Sequence, residues 1–241
     1  MTNGKTFWRE STTSKCKFCH LPYKELVFQA GEVEVIANAS PQCECEKKYN
    51  YLTERVSQSI IRPMYKKMDL KSFNGSLQPK AYNKTASYIK NLSRNIKEGH
   101  GLVYYGPIGT GKTHLAAAIV NEAIKKYYFC IVQSVPEIFF NIRQRNFQSV
   151  NALIDCDLLV LDDFGRERAT DFVKETLFTV INARYEKLLP IIITTNMGPK
   201  TLKVNLGDAV ISRIYQMCDI IEMDNTGDYR ENQKKQQKHR V

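Results

Sequence analysis

Gly106-Pro107-Ile108-Gly109-Thr110-Gly111-Lys112-Thr113 is the stretch that decides how the rest of the chain is read. Its spacing is G-x-x-x-x-G-K-[ST]. It stands between an apolar run, Leu102-Val103-Tyr104-Tyr105, and a helix-forming one, His114-Leu115-Ala116-Ala117-Ala118-Ile119-Val120. Strand, glycine-rich loop and helix is the context in which this spacing grips phosphate. Glycines let backbone N–H groups close around an anion, and the first turn of the helix adds its dipole. Lys112 is placed to reach the β- and γ-phosphates and the Thr113 hydroxyl to ligate Mg²⁺. Gly106 through His114 are therefore the expected contacts of a nucleotide, ATP.

Two further runs repeat one design, a buried strand with polar groups at its end. Asp157-Leu158-Leu159-Val160-Leu161-Asp162-Asp163 puts two carboxylates at the C-terminal edge of a strand, where open α/β sheets bind ligands. Asp162 is the expected acceptor for Mg²⁺, directly or through water, and Asp163 is placed to orient the attacking water. Ile191-Ile192-Ile193-Thr194-Thr195-Asn196 ends on Asn196, which could bond that water or the γ-phosphate. Phe129-Cys130-Ile131-Val132 reads as another strand, and 136–148 as a helix with Pro136 in its first turn. Strands alternating with helical segments predict an α/β fold, a parallel sheet flanked by helices on both faces.

The N-terminal segment has a different chemistry. Cys16-Lys17-Phe18-Cys19 and Cys43-Glu44-Cys45 are two close thiol pairs, a spacing that lets two short loops present four sulfurs to one tetrahedral zinc. Cys-x-Cys is rarer than Cys-x-x-Cys, so His20 could stand in for one thiolate. Between the pairs, Val27-Phe28, a turn at Ala30-Gly31-Glu32, then Val33, Val35 and Ile36 read as a hairpin. So small a module has few core residues, and a metal would staple it. Helical spacing of Tyr51, Leu52, Val56, Ile60 and Ile61 predicts a helix from Glu46 to Met64, ended by Arg62-Pro63. Residues 68–79 read as a loop. The expected domains are 1–66, zinc-binding with its linker helix, 67–232, nucleotide-binding, and 233–241, a basic tail.

Composition narrows the setting. The net charge of +10 is spread along the chain, which suits nucleic acid or another polyanion without specifying one. No apolar stretch approaches the roughly 20 residues of a membrane span. The first residues lack a signal-peptide core, so a reducing cytoplasm is the expected location. Seven cysteines, an odd number, argue against a complete disulfide framework; Cys130, Cys156 and Cys218 lie among apolar neighbours and read as buried thiols.

Taken with Ser212-Arg213, these runs resemble the AAA+ ATPases. Asp162-Asp163-Phe164-Gly165, Ile181-Asn182-Ala183-Arg184-Tyr185-Glu186 and Ile193-Thr194-Thr195-Asn196-Met197 are similar to one branch, which holds bacterial and phage replicative-helicase loaders and the ATPase helpers of some transposases. The cysteine module resembles the zinc-bearing N-terminal domain of Gram-positive and phage loaders, whereas the transposase helpers usually begin with a cysteine-free helical domain. The resemblance implies an ATP-dependent loader that places a hexameric replicative helicase on single-stranded DNA, with a transposition helper as the alternative. It implies homo-oligomers in the ATP-bound state. Arg213 would be an arginine finger that reaches a neighbour's γ-phosphate, and Arg230 a second nucleotide sensor. Single-stranded DNA is expected near Arg143, Arg145 and Phe147. Two departures from the pattern imply slow hydrolysis used as a switch. Asp163 stands where most AAA+ proteins have Glu, and few residues follow Arg230.

Overall fold

The computed structural model describes residues 5–17, 19–30, 33–143, 148–165 and 170–225. The chain divides into two compact units, Met1–Arg55 and Val56–Val241. This division lies ahead of the expected boundary at 66, and the linker helix is shorter than its periodicity implied. That helix, α1, covers Cys45–Ser57. Beyond it, Ile60 adopts an extended conformation and pairs in parallel with Ile131. Its N–H donates to Cys130 O at 3.1 Å and its carbonyl accepts from Val132 N at 2.9 Å. Pairing at a sheet edge satisfies both backbone groups and wins over one more helical turn.

The first unit holds a three-stranded antiparallel sheet in the order β1 (Lys5–Lys15), β2 (Pro22–Ala30), β3 (Val33–Pro41). The expected hairpin is β2 and β3, with Ala30 opposite Val33. The strand β1 was not foreseen; KTFWRESTTSK alternates poorly, and its residues are mostly exposed.

The second unit is built on a five-stranded sheet in the order β5-β6-β7-β4-β8, with all neighbours parallel. Its strands are β4 (Gly101–Tyr105), β5 (Cys130–Ser134), β6 (Leu158–Asp162), β7 (Ile191–Thr195) and β8 (Cys218–Glu222). Adjacent residues of a strand face opposite sides, so a sheet covered on both faces needs unbroken apolar runs. Leu159, Leu161, Ile191 and Ile193 pack on one face with α7 (Asp171–Glu186) and α9 (Asp208–Met217). Leu158, Val160 and Ile192 pack on the other with α2 (Pro79–Lys90), α3 (Leu92–Glu98) and α4 (Lys112–Lys125). The α/β fold and parallel sheet are as expected. The helix read over 136–148 is instead α5 (Val135–Arg143) followed by α6 (Gln148–Asp155). Cys130, Cys156 and Cys218 are buried free thiols.

Arg184 on α7 is fully buried, and among the described residues its hydrogen bonds run to backbone carbonyls and the Cys156 sulfur. Its guanidinium donates to the carbonyls of Leu153 (2.8 Å), Ile154 (3.2 Å), Cys156 (2.9 Å) and Pro190 (2.7 Å). One cation thus serves backbone acceptors where α6 ends and again just before β7, close to the two strands that carry the acidic site.

Candidate functional site

The loop Gly106–Gly111 connects β4 to α4. Gly106 has φ 145°, and a Cβ there would lie 2.2 Å from Met223 O, so only glycine fits beside the chain leaving β8. Gly111, with φ 94°, is the N-cap of α4, and the helix begins on Lys112. Lys112 Nζ donates to the carbonyls of Gly106 at 2.8 Å and Pro107 at 2.6 Å, and reaches Thr110 Oγ1 at 3.4 Å. Burial pushes the ammonium down to about 8, against the opposing pull of the Asp163 and Asp162 carboxylates. Thr110 is buried and donates to Pro107 O at 3.0 Å, so it shapes the loop from within.

Asp162, 6% exposed at the end of β6, is the hub of the site. Its Oδ1 accepts from Thr113 Oγ1 at 2.8 Å and from Thr194 Oγ1 at 2.6 Å, and its Oδ2 accepts from Tyr65 Oη at 3.0 Å. Two strands, the loop helix and the turn that carries Tyr65 therefore converge on one carboxylate. The chain then turns sharply. Asp163 sits in the left-handed region at φ 53°, a conformation Asp tolerates better than most residues. Its N–H donates to Thr194 Oγ1 at 3.0 Å, and Phe164 N donates to Thr194 O at 2.8 Å. Thr194 thus couples β7 to both acids.

A cavity of about 780 Å³ opens over these groups. Ile108, Gly109, Gly111, Lys112, Thr113 and His114 line it from the loop, and Asp162, Asp163 and Asn196 from the strand ends. The structure therefore gathers the sequence-expected lysine, threonine, both carboxylates and Asn196 around one space. Gly106, Pro107 and Thr110 lie behind it as supports. The donor set suits a metal–triphosphate: a lysine for phosphate oxygens, and a hydroxyl beside a carboxylate for a hard cation. The His114 ring, which also lines the cavity, is held by the segment ahead of α2. Its Nε2 lies 2.8 Å from Asp69 O and 3.3 Å from Ser72 Oγ, with the edge of Phe73 against the ring. Burial holds its pKa below the usual value.

The other walls were not foreseen. Arg62, Met64, Tyr65, Met68 and Ser134 also line the cavity. Arg62 forms an ion pair with Glu137, which accepts from Ser134 N at 3.1 Å and Ser134 Oγ at 3.0 Å. The periodicity of 46–64 had assigned this stretch to a helix and its stop, and nothing in its composition advertised a site.

Arg213 is placed elsewhere. On α9 its guanidinium lies over the Phe178 ring, 4.9 Å from the centroid, and bonds Asn182 Oδ1 and Ala209 O. It does not line its own chain's cavity. Arg230, Arg145, Phe147, the side chain of Arg143 and the basic tail lie outside the described residues.

In the first unit, Cys16, Cys19, Cys43 and Cys45 bring their sulfurs within 4.8 Å of one another. Four thiolates around one zinc stand about 3.8 Å apart, from Zn–S bonds near 2.3 Å. The cluster is thus compatible with zinc after a small contraction. Hydrogen bonds among the thiols, from Cys43 first and then Cys19, push Cys45 up to about 12, as crowded sulfurs resist becoming several anions without a cation. His20 is outside the cluster; its N–H donates to Cys16 O at 2.9 Å and closes the knuckle turn. Among the described residues no helix is long and apolar enough to cross a membrane.

Comparison with known proteins places this geometry. The replicative helicase loader DnaI of Bacillus subtilis (strain 168) is 29% identical over 173 residues, covering 66% of this chain and 55% of that protein. The chain thus spans only a little over half of that relative's length. The replicative helicase loader DnaC of Escherichia coli (strain K12) is 26% identical over 194 residues, 77% of this chain and 78% of that protein. The crystal structure of the DnaC helicase loader superposes with a TM-score of 0.61 at 28% identity, covering 67% of this chain and 99% of that one. The fold is that of an AAA+ domain. The family described as IstB-like ATP binding protein matches residues 51–237, most of the chain, including the whole nucleotide cavity. The chain belongs to the IstB-like ATP-binding family.

Proposed function

We propose that the chain is an ATP-dependent loader of a replicative DNA helicase. The observation that carries this reading is a phosphate loop joined to a dyad of acids on an AAA+ sheet, in a chain similar to two proteins named replicative helicase loaders. A four-cysteine unit precedes that domain, as the resemblance to Gram-positive and phage loaders implies, whereas transposase helpers usually begin with a cysteine-free helical domain. This contrast favours loading over transposition.

In this account ATP binds with Mg²⁺ at Thr113 and Asp162, and Lys112 holds the phosphates. Asp163 and Asn196 orient water for a slow hydrolysis that works as a switch. Arg213 completes the site of a neighbouring copy, which makes the ATP-bound state a homo-oligomer; its position away from its own cavity supports that role. Arg230 reads the nucleotide as a second sensor. The four cysteines hold zinc and keep the first unit folded as the surface that grips the hexameric helicase. Basic and aromatic groups near Arg143, Arg145 and Phe147 touch single-stranded DNA, where stacking and phosphate contacts need no particular sequence. The work is done in the cytoplasm.

Native mass spectrometry of the chain mixed with a replicative helicase hexamer from the same source tests the reading. A complex between loader chains and one helicase hexamer is expected, and it should form with Lys112→Ala as well, since gripping precedes hydrolysis. Failure to bind the helicase, together with capture of a transposase encoded beside it, would replace loading with transposition.

A further inference from the structure

We infer that Tyr65 is a positioning residue of the nucleotide site, holding the outer oxygen of Asp162 and seating the segment that opens the second unit on the state of that carboxylate. The inference rests on reading the cavity as a magnesium–nucleotide site, and extends it to a residue the phosphate-loop chemistry does not require.

The segment is fixed along its length. Ser59 Oγ accepts from Cys130 N at 3.0 Å, and Ile60 pairs with the edge of β5. Tyr65–Lys67 then form a single 3-10 turn, with Tyr65 N bonded to Arg62 O at 3.0 Å. From α4, Asn121 Nδ2 donates to Tyr65 O at 2.9 Å and to Met68 O at 2.7 Å. The Tyr65 ring is buried, and its hydroxyl meets Asp162 Oδ2. The phenol O–H is the donor of that bond and the carboxylate its acceptor.

The division of labour on Asp162 makes the contact consequential. Thr113 and Thr194 both address Oδ1, and among the described residues Tyr65 is the partner of Oδ2. A carboxylate held at one oxygen can still tilt and rotate; held at both, it is fixed. A buried carboxylate oxygen stripped of its donor must tilt to find another, which misaligns the Oδ1 that faces Thr113. The same bond runs the other way. Whatever fixes Asp162 also fixes Tyr65, and with it the turn whose Tyr65 N bonds Arg62 O.

The test is Tyr65→Phe in the full chain, which keeps the buried ring and removes one hydroxyl. Binding of a fluorescent ATP analogue is titrated with and without Mg²⁺, and hydrogen exchange of residues 59–68 is followed alongside. The expected result is unchanged affinity without Mg²⁺, since the loop grips the phosphates. The Mg²⁺-dependent gain should be about tenfold smaller, the scale of a lost hydrogen bond to a charged group. Mg²⁺–nucleotide should slow exchange across 59–68 in the parent and not in the variant. Asn121→Leu, which releases the carbonyls that seat the turn, should reproduce the same pattern more weakly. An identical Mg²⁺ dependence in parent and Tyr65→Phe would overturn the inference, as would a larger Mg²⁺ gain in the variant, which would make the hydroxyl a competitor of the metal. A parent chain that binds no Mg²⁺–nucleotide would instead overturn the reading of the cavity.

Discussion

The depressed pKa of Lys112 predicts an unusual pH dependence of nucleotide binding. An ordinary lysine titrates near 10.5, but burial beneath the loop brings Lys112 to about 8. Contact with phosphate stabilises the ammonium, so the pKa in the complex rises above that of the free chain. Affinity is therefore full below pH 8 and falls as pH rises through it, because each deprotonated chain must take up a proton to bind. For a free-state value of 8, the dissociation constant should weaken about 25-fold between pH 7.5 and 9.5, whereas a lysine at 10.5 would give about 1.1-fold. Phosphoryl groups with a second pKa near 6 are fully ionised across that window and contribute no slope. The measurement is a fluorescent ATP analogue titrated at half-unit intervals, with Lys112→Met as the flat control. Calorimetry in two buffers of different ionisation enthalpy should also find about 0.75 proton taken up per nucleotide at pH 8.5. A dissociation constant constant to within a factor of two from pH 7.5 to 9.5 would refute the reasoning. So would the same slope in Lys112→Met.

Three other expectations follow from named contacts. Arg184→Met should lower the stability of the second unit by about 3 kcal/mol, since several buried carbonyls lose their donor; a urea midpoint shift worth under about 1 kcal/mol contradicts it. Metal analysis in reducing buffer should find one zinc per chain, with chelation unfolding the first unit and leaving the second folded; a Cys45→Ala chain that keeps full occupancy would dismiss the four-thiol ligand set. Arg213→Ala should keep ATP affinity and lose turnover, by up to the roughly 10³–10⁵-fold scale of arginine fingers. Mixing it with Lys112→Ala chains should restore part of the activity, and no recovery despite co-assembly would return Arg213 to a surface role.

Legibility followed burial and local chemistry. The loop, β6 and β7 were readable because a strand covered on both faces must be a continuous apolar run, and because acids or amides at its end have few other reasons to be there. The gathering of Lys112, Thr113, Asp162, Asp163 and Asn196 followed from those strand ends. What failed was tertiary competition. Ile60 and Ile61 fit a helical period, yet Ile60 pairs with Ile131, and that pairing brings Tyr65 to Asp162 across 97 residues. No local pattern encodes such a contact. β1 escaped notice because its partner supplies the backbone hydrogen bonds while its own side chains stay exposed. Arg184 stood in a stretch that resembled the loader branch, but a single arginine in an amphipathic helix reads as solvent-facing. Only the fold shows it buried among carbonyls.

The central claim is that ATP-driven assembly of this chain places a helicase on DNA, and closed circular single-stranded DNA tests it most directly, because a ring helicase cannot thread onto a circle from an end. The helicase, the chain and ATP are combined on such circles carrying an annealed reporter strand, and displacement of that strand is followed. The account predicts displacement that requires the chain and ATP, with Lys112→Ala and Arg213→Ala chains binding the helicase yet leaving the strand in place. Equal displacement without the chain, or with the Lys112→Ala chain, would contradict it.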